Sequence, residues 1–178
     1  MPTLDRLETL LRTAIAAAPL DKGFGPAMEA ALIKGHTAAY LAAVAERAGV
    51  KVDSGLFKGL SKAERADIKQ AVAEQLQYLR GFLAAKGDMS EAQIRARAQL
   101  YAGSIKATYY QARWGDWDIP QSLLPGQQQC MGNCLCRISI ADKGDGTGTL
   151  SRTMGGTEYH CTECPPLQGD HEIKRKAR

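Results

Sequence analysis

Cys130-Met131-Gly132-Asn133-Cys134-Leu135-Cys136, answered further on by Cys161-Thr162-Glu163-Cys164, holds all five cysteines of the chain. None occurs in the helical-looking sequence before them. Two short clusters separated by strand-like sequence can converge on one metal ion. A structural zinc takes four N/S ligands in a tetrahedron, with Zn–S about 2.3 Å, and each half of the site is a tight turn presenting two thiolates. Cys161-x-x-Cys164 has the standard spacing. Cys130-x-x-x-Cys134 is one residue longer, and Gly132-Asn133 tolerates the bend. Cys134 and Cys136 lie two apart on an incipient strand, so their side chains can face the same way. Cys130, Cys134, Cys161 and Cys164 are the preferred ligand set. Cys136 could replace Cys134, and His160 could replace a cysteine.

Between the clusters, Arg137-Ile138-Ser139-Ile140 alternates like a strand. Asp142 to Gly148 reads as a glycine-rich hairpin turn. Thr149 to Thr153 and Thr157 to His160 are further strand candidates, broken by Gly155-Gly156. Such a hairpin returns the chain to its starting point, as a zinc ribbon requires. The module from Cys130 to Cys164 has few large apolar side chains and could hardly fold alone without a staple. Metal binding contributes about 10–16 kcal/mol in small zinc modules, ample for this. Buried, unliganded thiols are the plainer alternative. A catalytic zinc needs an open coordination position and a nearby base. His160 with Glu163 or Glu158 is the sole candidate pairing, and nothing singles it out. The Asp142–Gly148 loop lacks the Gly-Lys-Ser/Thr ending of a phosphate loop and the distal Glu of a calcium loop.

Upstream, Leu4, Leu7, Leu11 and Ile15 mark one helical stripe from Leu4 to Ala18, ended by Pro19 and Gly23-Phe24-Gly25-Pro26. A second helix runs from Pro26 to Arg47, with Gly49 as its stop. A loop follows from Val50 to Leu60. Ser61-Lys62-Ala63-Glu64 and Ser90-Glu91-Ala92-Gln93 are capping boxes. The first opens a helix with Ile68, Val72, Leu76, Leu79 and Leu83 on one face, ended by Gly87. The second opens a helix with Ile94, Ala98, Tyr101, Ile105 and Tyr109 on its buried stripe, leaving Arg95, Arg97, Lys106 and Arg113 mostly away from it. His36 sits mid-helix with no acid or nucleophile at a suggestive spacing and reads as a surface or core histidine. Trp114, Trp117, Ile119, Leu123 and Leu124 tack a Pro/Gly/Gln-rich strap onto the helices.

The fold class is therefore α+β, mainly α. Residues 1–113 form a helical body of about four helices, 114–129 a linker or strap, 130–165 a small zinc-ribbon-like β module, and 166–178 a basic tail. Of 178 residues, 44% are hydrophobic and only 6% aromatic, which suits closely packed, alanine-rich helices. The net charge of +4 is modest for a dedicated nucleic-acid binder. The excess is local, and Lys174, Arg175, Lys176 and Arg178 could contact phosphates or an acidic surface, or form a solvated tail. No stretch is long and apolar enough to span a bilayer, and the start lacks the order of a signal peptide. A cytosolic origin is the default expectation, where reduced thiols favour metal over disulfides.

From Ser61 onward the order of motifs resembles a known family. Glu74-Gln75-Leu76-Gln77-Tyr78-Leu79-Arg80-Gly81-Phe82 precedes Gln93-Ile94-Arg95-Ala96-Arg97-Ala98 and Leu100-Tyr101-Ala102-Gly103. A Trp/Pro-rich strap ending in Leu124-Pro125-Gly126 leads to the C-x3-C-x-C and C-x-x-C clusters. This resembles the minor head, or head-morphogenesis, proteins of tailed bacteriophages. The resemblance covers roughly the last two thirds of the chain. It implies a non-enzymatic virion component acting in head assembly, in the host cytoplasm and then in the head. The implied partners are the major capsid or portal protein, with packaged DNA possible through the basic end and neither membrane nor small-molecule substrate expected. The cysteine clusters carry over as zinc ligands and the Arg95-Ala96-Arg97 helix as scaffold. Two departures are plain: Arg137-Ile138-Ser139-Ile140 follows the C-x-C where members of that family often have an aromatic, and many members are longer at the N-terminus. Two rival readings remain. One is a zinc-ribbon nucleic-acid-binding or regulatory protein. The other is a zinc hydrolase, for which no general base stands at a defined spacing.

Overall fold

A computed structural model describes residues 4–52, 54–125, 136–154 and 164–176. Helix α1 (Leu4–Ala16) buries Leu4, Leu7, Leu11 and Ile15, the stripe expected from its spacing. Helix α2 (Phe24–Ala48) is the central element. It buries Phe24, Met28, Leu32, Ala39 and Ala43, and packs against α1, α4 and α6. Its alanines supply little bulk, so neighbouring helices approach closely. Gly49 ends it in the left-handed conformation at φ 67°, where its N–H caps the carbonyls of Ala45 and Glu46.

A short helix, α3 (Ser54–Gly59), occupies the stretch read as a loop. Helix α4 (Lys62–Ala85) and helix α5 (Glu91–Gln99) both begin with the expected capping boxes. At Ser61 the hydroxyl accepts from the Glu64 N–H at 3.1 Å, and the Glu64 carboxylate accepts from the Ser61 N–H at 2.9 Å. The same reciprocal pair joins Ser90 and Gln93.

The fourth predicted helix is not continuous. A 3-10 segment, Leu100–Ser104, separates α5 from α6 (Ile105–Arg113). Each 3-10 residue advances about 20° further around the axis than an α-helical one, so five of them rotate the following face by roughly a quarter-turn or more. Lys106, expected away from the buried stripe, is 0% exposed because α6 is enclosed on most sides and buries Lys106, Ala107, Thr108 and Tyr110 as well as the expected Ile105 and Tyr109. Its ammonium pairs with Glu8 of α1 at 2.9 Å, and Arg12 holds the other carboxylate oxygen at 2.8 Å.

The strands form one antiparallel sheet in the order β1-β4-β3-β2: β1 is Trp117–Asp118, β2 Arg137–Asp142, β3 Thr147–Thr153 and β4 Gly169–Arg175. The β2–β3 hairpin around Asp142–Gly148 follows the sequence reading. The strand candidate Thr157–His160 lies outside the described residues. Two elements differ from expectation. Gly169–Arg175, read as part of a tail, is an inner strand, and the strap contributes the edge strand β1. The sequence hides β4 because Ile173 is its one buried residue.

Sheet and helices share a hydrophobic core. Ile138, Leu150, Ile173 and Trp117 join the same buried cluster as Phe24, Ile105 and Tyr109, together with Leu123 and Leu124 of the strap. The Trp117 ring lies directly on Gly148, where any Cβ would stand 2.7 Å from two ring carbons. The β region therefore gains apolar burial from the helical body, which a free-standing ribbon would lack.

Candidate functional site

The ladder Arg137↔Thr153 and Arg152↔Gly169 brings the start of β2, the end of β3 and the start of β4 to one end of the sheet. Cys136 immediately precedes β2. Cys164 precedes the 3-10 turn Pro165–Leu167 that leads into β4. Both thiols are buried, each residue only 1% exposed, and neither is in a disulfide. Cys130, Cys134, Cys161, His160, Glu158 and Glu163 lie outside the described residues, as does Arg178. Among the described residues no cluster of three or more His, Cys, Asp or Glu side chains is placed to hold a metal.

A residue not singled out in the sequence stands at this end. Along β3 the buried positions are Gly148, Leu150 and Arg152, so the alternation that puts Leu150 in the core puts Arg152 there too. Arg152 is 1% exposed. Its Nη1 donates to the Ser122 carbonyl of the strap at 3.1 Å, and its Nη2 points at Cys164 Sγ at 3.7 Å. A guanidinium stays charged at any physiological pH, and burying it calls for negative charge close by. Thiolates held by zinc supply such charge and accept N–H···S hydrogen bonds from residues around the metal. The donor set at this end, two buried thiols with a buried guanidinium against one of them, fits a zinc–thiolate centre. The signal for Arg152 was present in the sequence as a charge at an inward strand position.

The basic C-terminal residues are distributed differently from a free tail. Arg175 pairs with Asp142 across the sheet and lies over the Trp117 ring, 4.9 Å from its centroid. Its backbone N–H donates to Gly146. The Asp142 carboxyl is held below its ordinary value by the Gly144 N–H and then by Arg175. Lys174 is exposed on β4, paired in register with Asp118. The Lys176 N–H donates to the Asp116 carbonyl at 2.8 Å, anchoring the strand end to the strap.

A second site lies between α4 and α6. Both helices pack on α2, and the groove between them is closed at one end by the strap, leaving a cavity of about 240 Å³. Its floor is His36, 1% exposed. Ser104 Oγ donates to the Tyr101 carbonyl at 2.7 Å, so it must accept from His36 Nε2–H at 3.1 Å. Nδ1 then accepts from the Thr108 hydroxyl at 2.7 Å. Burial lowers the His36 pKa to about 4, so the imidazole is neutral near pH 7. His36 is thus a satisfied core histidine, one of the two roles read from the sequence.

Among the described residues no helix is long and apolar enough to cross a membrane. Comparison of the chain with protein-family models, with curated proteins and with solved structures finds no match.

Proposed function

We propose that this chain is a non-enzymatic structural protein of a bacteriophage head, acting in head morphogenesis as a minor capsid, portal-associated or capsid-decorating component. In this reading four of the five cysteines hold a structural zinc, forming a ribbon-like clamp at the open end of the sheet. The observation that carries the metal is the buried Arg152 guanidinium directed at Cys164 beside a second buried thiol, Cys136. One residue, Leu135, separates Cys134 from Cys136 and two, Thr162 and Glu163, separate Cys161 from Cys164, spans of no more than about 7 and 11 Å of extended chain. The remaining ligands are thus within reach of the same sheet end. Zinc, when bound, cross-links the turns and supplies no reaction chemistry. The residues of the chain do the rest: Arg152 balances the thiolate charge, and Ser122 ties that guanidinium to the strap. The assembly role rests on the order of helical motifs, strap and cysteine clusters in the sequence.

The nucleic-acid-binding alternative draws less support, because Arg175 is already engaged by Asp142 and Trp117. Two experiments test the proposal. Elemental analysis of chelator-washed, folded protein should find stoichiometric zinc in the wild type and a large loss in Cys164→Ser; metal-free folded wild type overturns the clamp. Mass spectrometry of purified virions should find the chain at a fixed ratio to portal or major capsid subunits. Its absence from both virions and assembly intermediates overturns the head role.

A further inference from the structure

The corner where α3 meets α4 carries cations that the fold supplies with no carboxylate. Lys62, Arg65 and Lys69 lie on α4 within an arc of about 100° and along about 10 Å of its axis. With Leu60 and Ala66 they line a concavity of about 360 Å³. The carboxylates of the same helical segment are turned elsewhere. Glu64 accepts from the Ser61 N–H and pairs with Arg47 of α2, and Asp67 accepts from the Tyr40 hydroxyl of α2. Among the described residues no ion pair includes Lys58, Lys62, Arg65 or Lys69.

A second observation concerns Arg65 and the ring beside it. Its Nε donates to the Leu60 carbonyl at 3.1 Å, and its Nη2 to the Lys58 carbonyl at 2.6 Å, at the C-terminal end of α3. These neutral acceptors fix the guanidinium and leave its net charge uncancelled. The guanidinium also lies over the Phe57 ring, 5.9 Å from the centroid. Phe57 is 44% exposed, and Val50 and Val52 just before α3 are more than a third exposed as well. A solvated basic face has no need of an open phenylalanine or of a recess with apolar walls. Exposed apolar surface rimmed by charge marks a docking site. A phosphate backbone is held by charge over a long track; here a short cationic track encloses apolar surface. Its complement is a short segment with carboxylates flanking an apolar side chain.

We propose that the α3–α4 corner docks an acidic peptide segment of a partner protein. The carboxylates of that segment meet Lys62, Arg65 and Lys69, and one of its apolar side chains packs against Phe57. The surface uses neither the cysteines nor a metal. Its binding is read on the purified chain, so it stands or falls separately from the head-assembly role.

Fluorescence anisotropy on the full chain tests this with a labelled peptide, acetyl-EDEFEDL-amide. The controls are its neutral counterpart acetyl-QNQFQNL-amide, its counterpart without apolar residues acetyl-EDESEDS-amide, an oligothymidylate, and vesicles of equal parts phosphatidylcholine and phosphatidylserine. Saturable binding of the first peptide is expected, stronger than that of any control. The double variant Lys62→Glu, Lys69→Glu should weaken it about tenfold or more, and Phe57→Ser about tenfold. All three side chains are exposed, and circular dichroism checks that each variant is folded. Failure of the acidic peptide to bind the folded wild type overturns the proposal, as does binding unchanged in either folded variant. Tighter binding of the oligothymidylate overturns it in favour of a phosphate track, and tighter binding of the vesicles in favour of a lipid surface.

Discussion

His36 and Arg152 are the two buried polar side chains on which most of the chemistry turns, and their fates are opposite. His36 is kept neutral by burial and by two hydroxyls whose hydrogen assignments leave room for one ring proton only. Its folded pKa, about 4, lies below the ordinary value of 6.5. Between those values the unfolded chain binds the extra proton and the folded chain does not, so stability rises with pH across that window and falls as pH drops through it. Urea unfolding at pH 7 and pH 4.5 should show a loss of roughly 2–3 kcal/mol attributable to this residue. His36→Gln should flatten that part of the profile; an unchanged slope would contradict the assignment. Arg152 is buried with its guanidinium against Cys164 Sγ and the Ser122 carbonyl. Arg152→Met should weaken zinc retention about tenfold or more in a chelator competition while the helical signal persists, and unchanged zinc affinity would remove Arg152 from the metal's surroundings.

At the scale of elements, the helix starts are the most local features, and they followed directly from Ser61 and Ser90 with their partners three residues on. Replacing either serine with alanine should cost about 1 kcal/mol in chemical denaturation, because one donor at each helix start loses its acceptor. The break at Leu100–Ser104 belongs to the same scale but was not visible in the apolar spacing. Ala98, Tyr101, Ile105 and Tyr109 stay buried through it, and α6 is enclosed on most sides, so Lys106 is buried too and meets Glu8. Lys106→Met should destabilise by about 3 kcal/mol, since it strands a largely buried carboxylate for which Arg12 compensates only in part. A double-mutant cycle with Glu8→Gln should recover part of that loss. Strand β1 depends on Gly148, whose missing side chain makes room for the Trp117 ring. Gly148→Val should displace that ring and shift tryptophan emission to longer wavelength.

For the whole molecule, the shared core is the decisive feature. Trp117, Leu123, Leu124, Ile138, Leu150 and Ile173 pack into the same cluster as the helices, so sheet and helical body have a common source of apolar stabilisation. Thermal unfolding followed by near-ultraviolet circular dichroism, sensitive to Trp117, should coincide with loss of the helical signal at far-ultraviolet wavelengths. Two separated transitions would mean that the sheet folds on its own account. The mainly helical class, the helix starts, the stripes of α1 and α4 and the β2–β3 hairpin were legible in the chain, because each depends on residues within a turn or two of one another. The inner strand β4, the partners of Arg152 and the polar groove between α4 and α6 were not. Each arises where segments far apart in sequence meet: β4 against β3, Arg152 against Cys164 and the strap, α4 across from α6 on α2. Local periodicity sets which face a segment would bury, and the packing of distant neighbours sets whether that face meets an apolar partner, a thiol or a cavity.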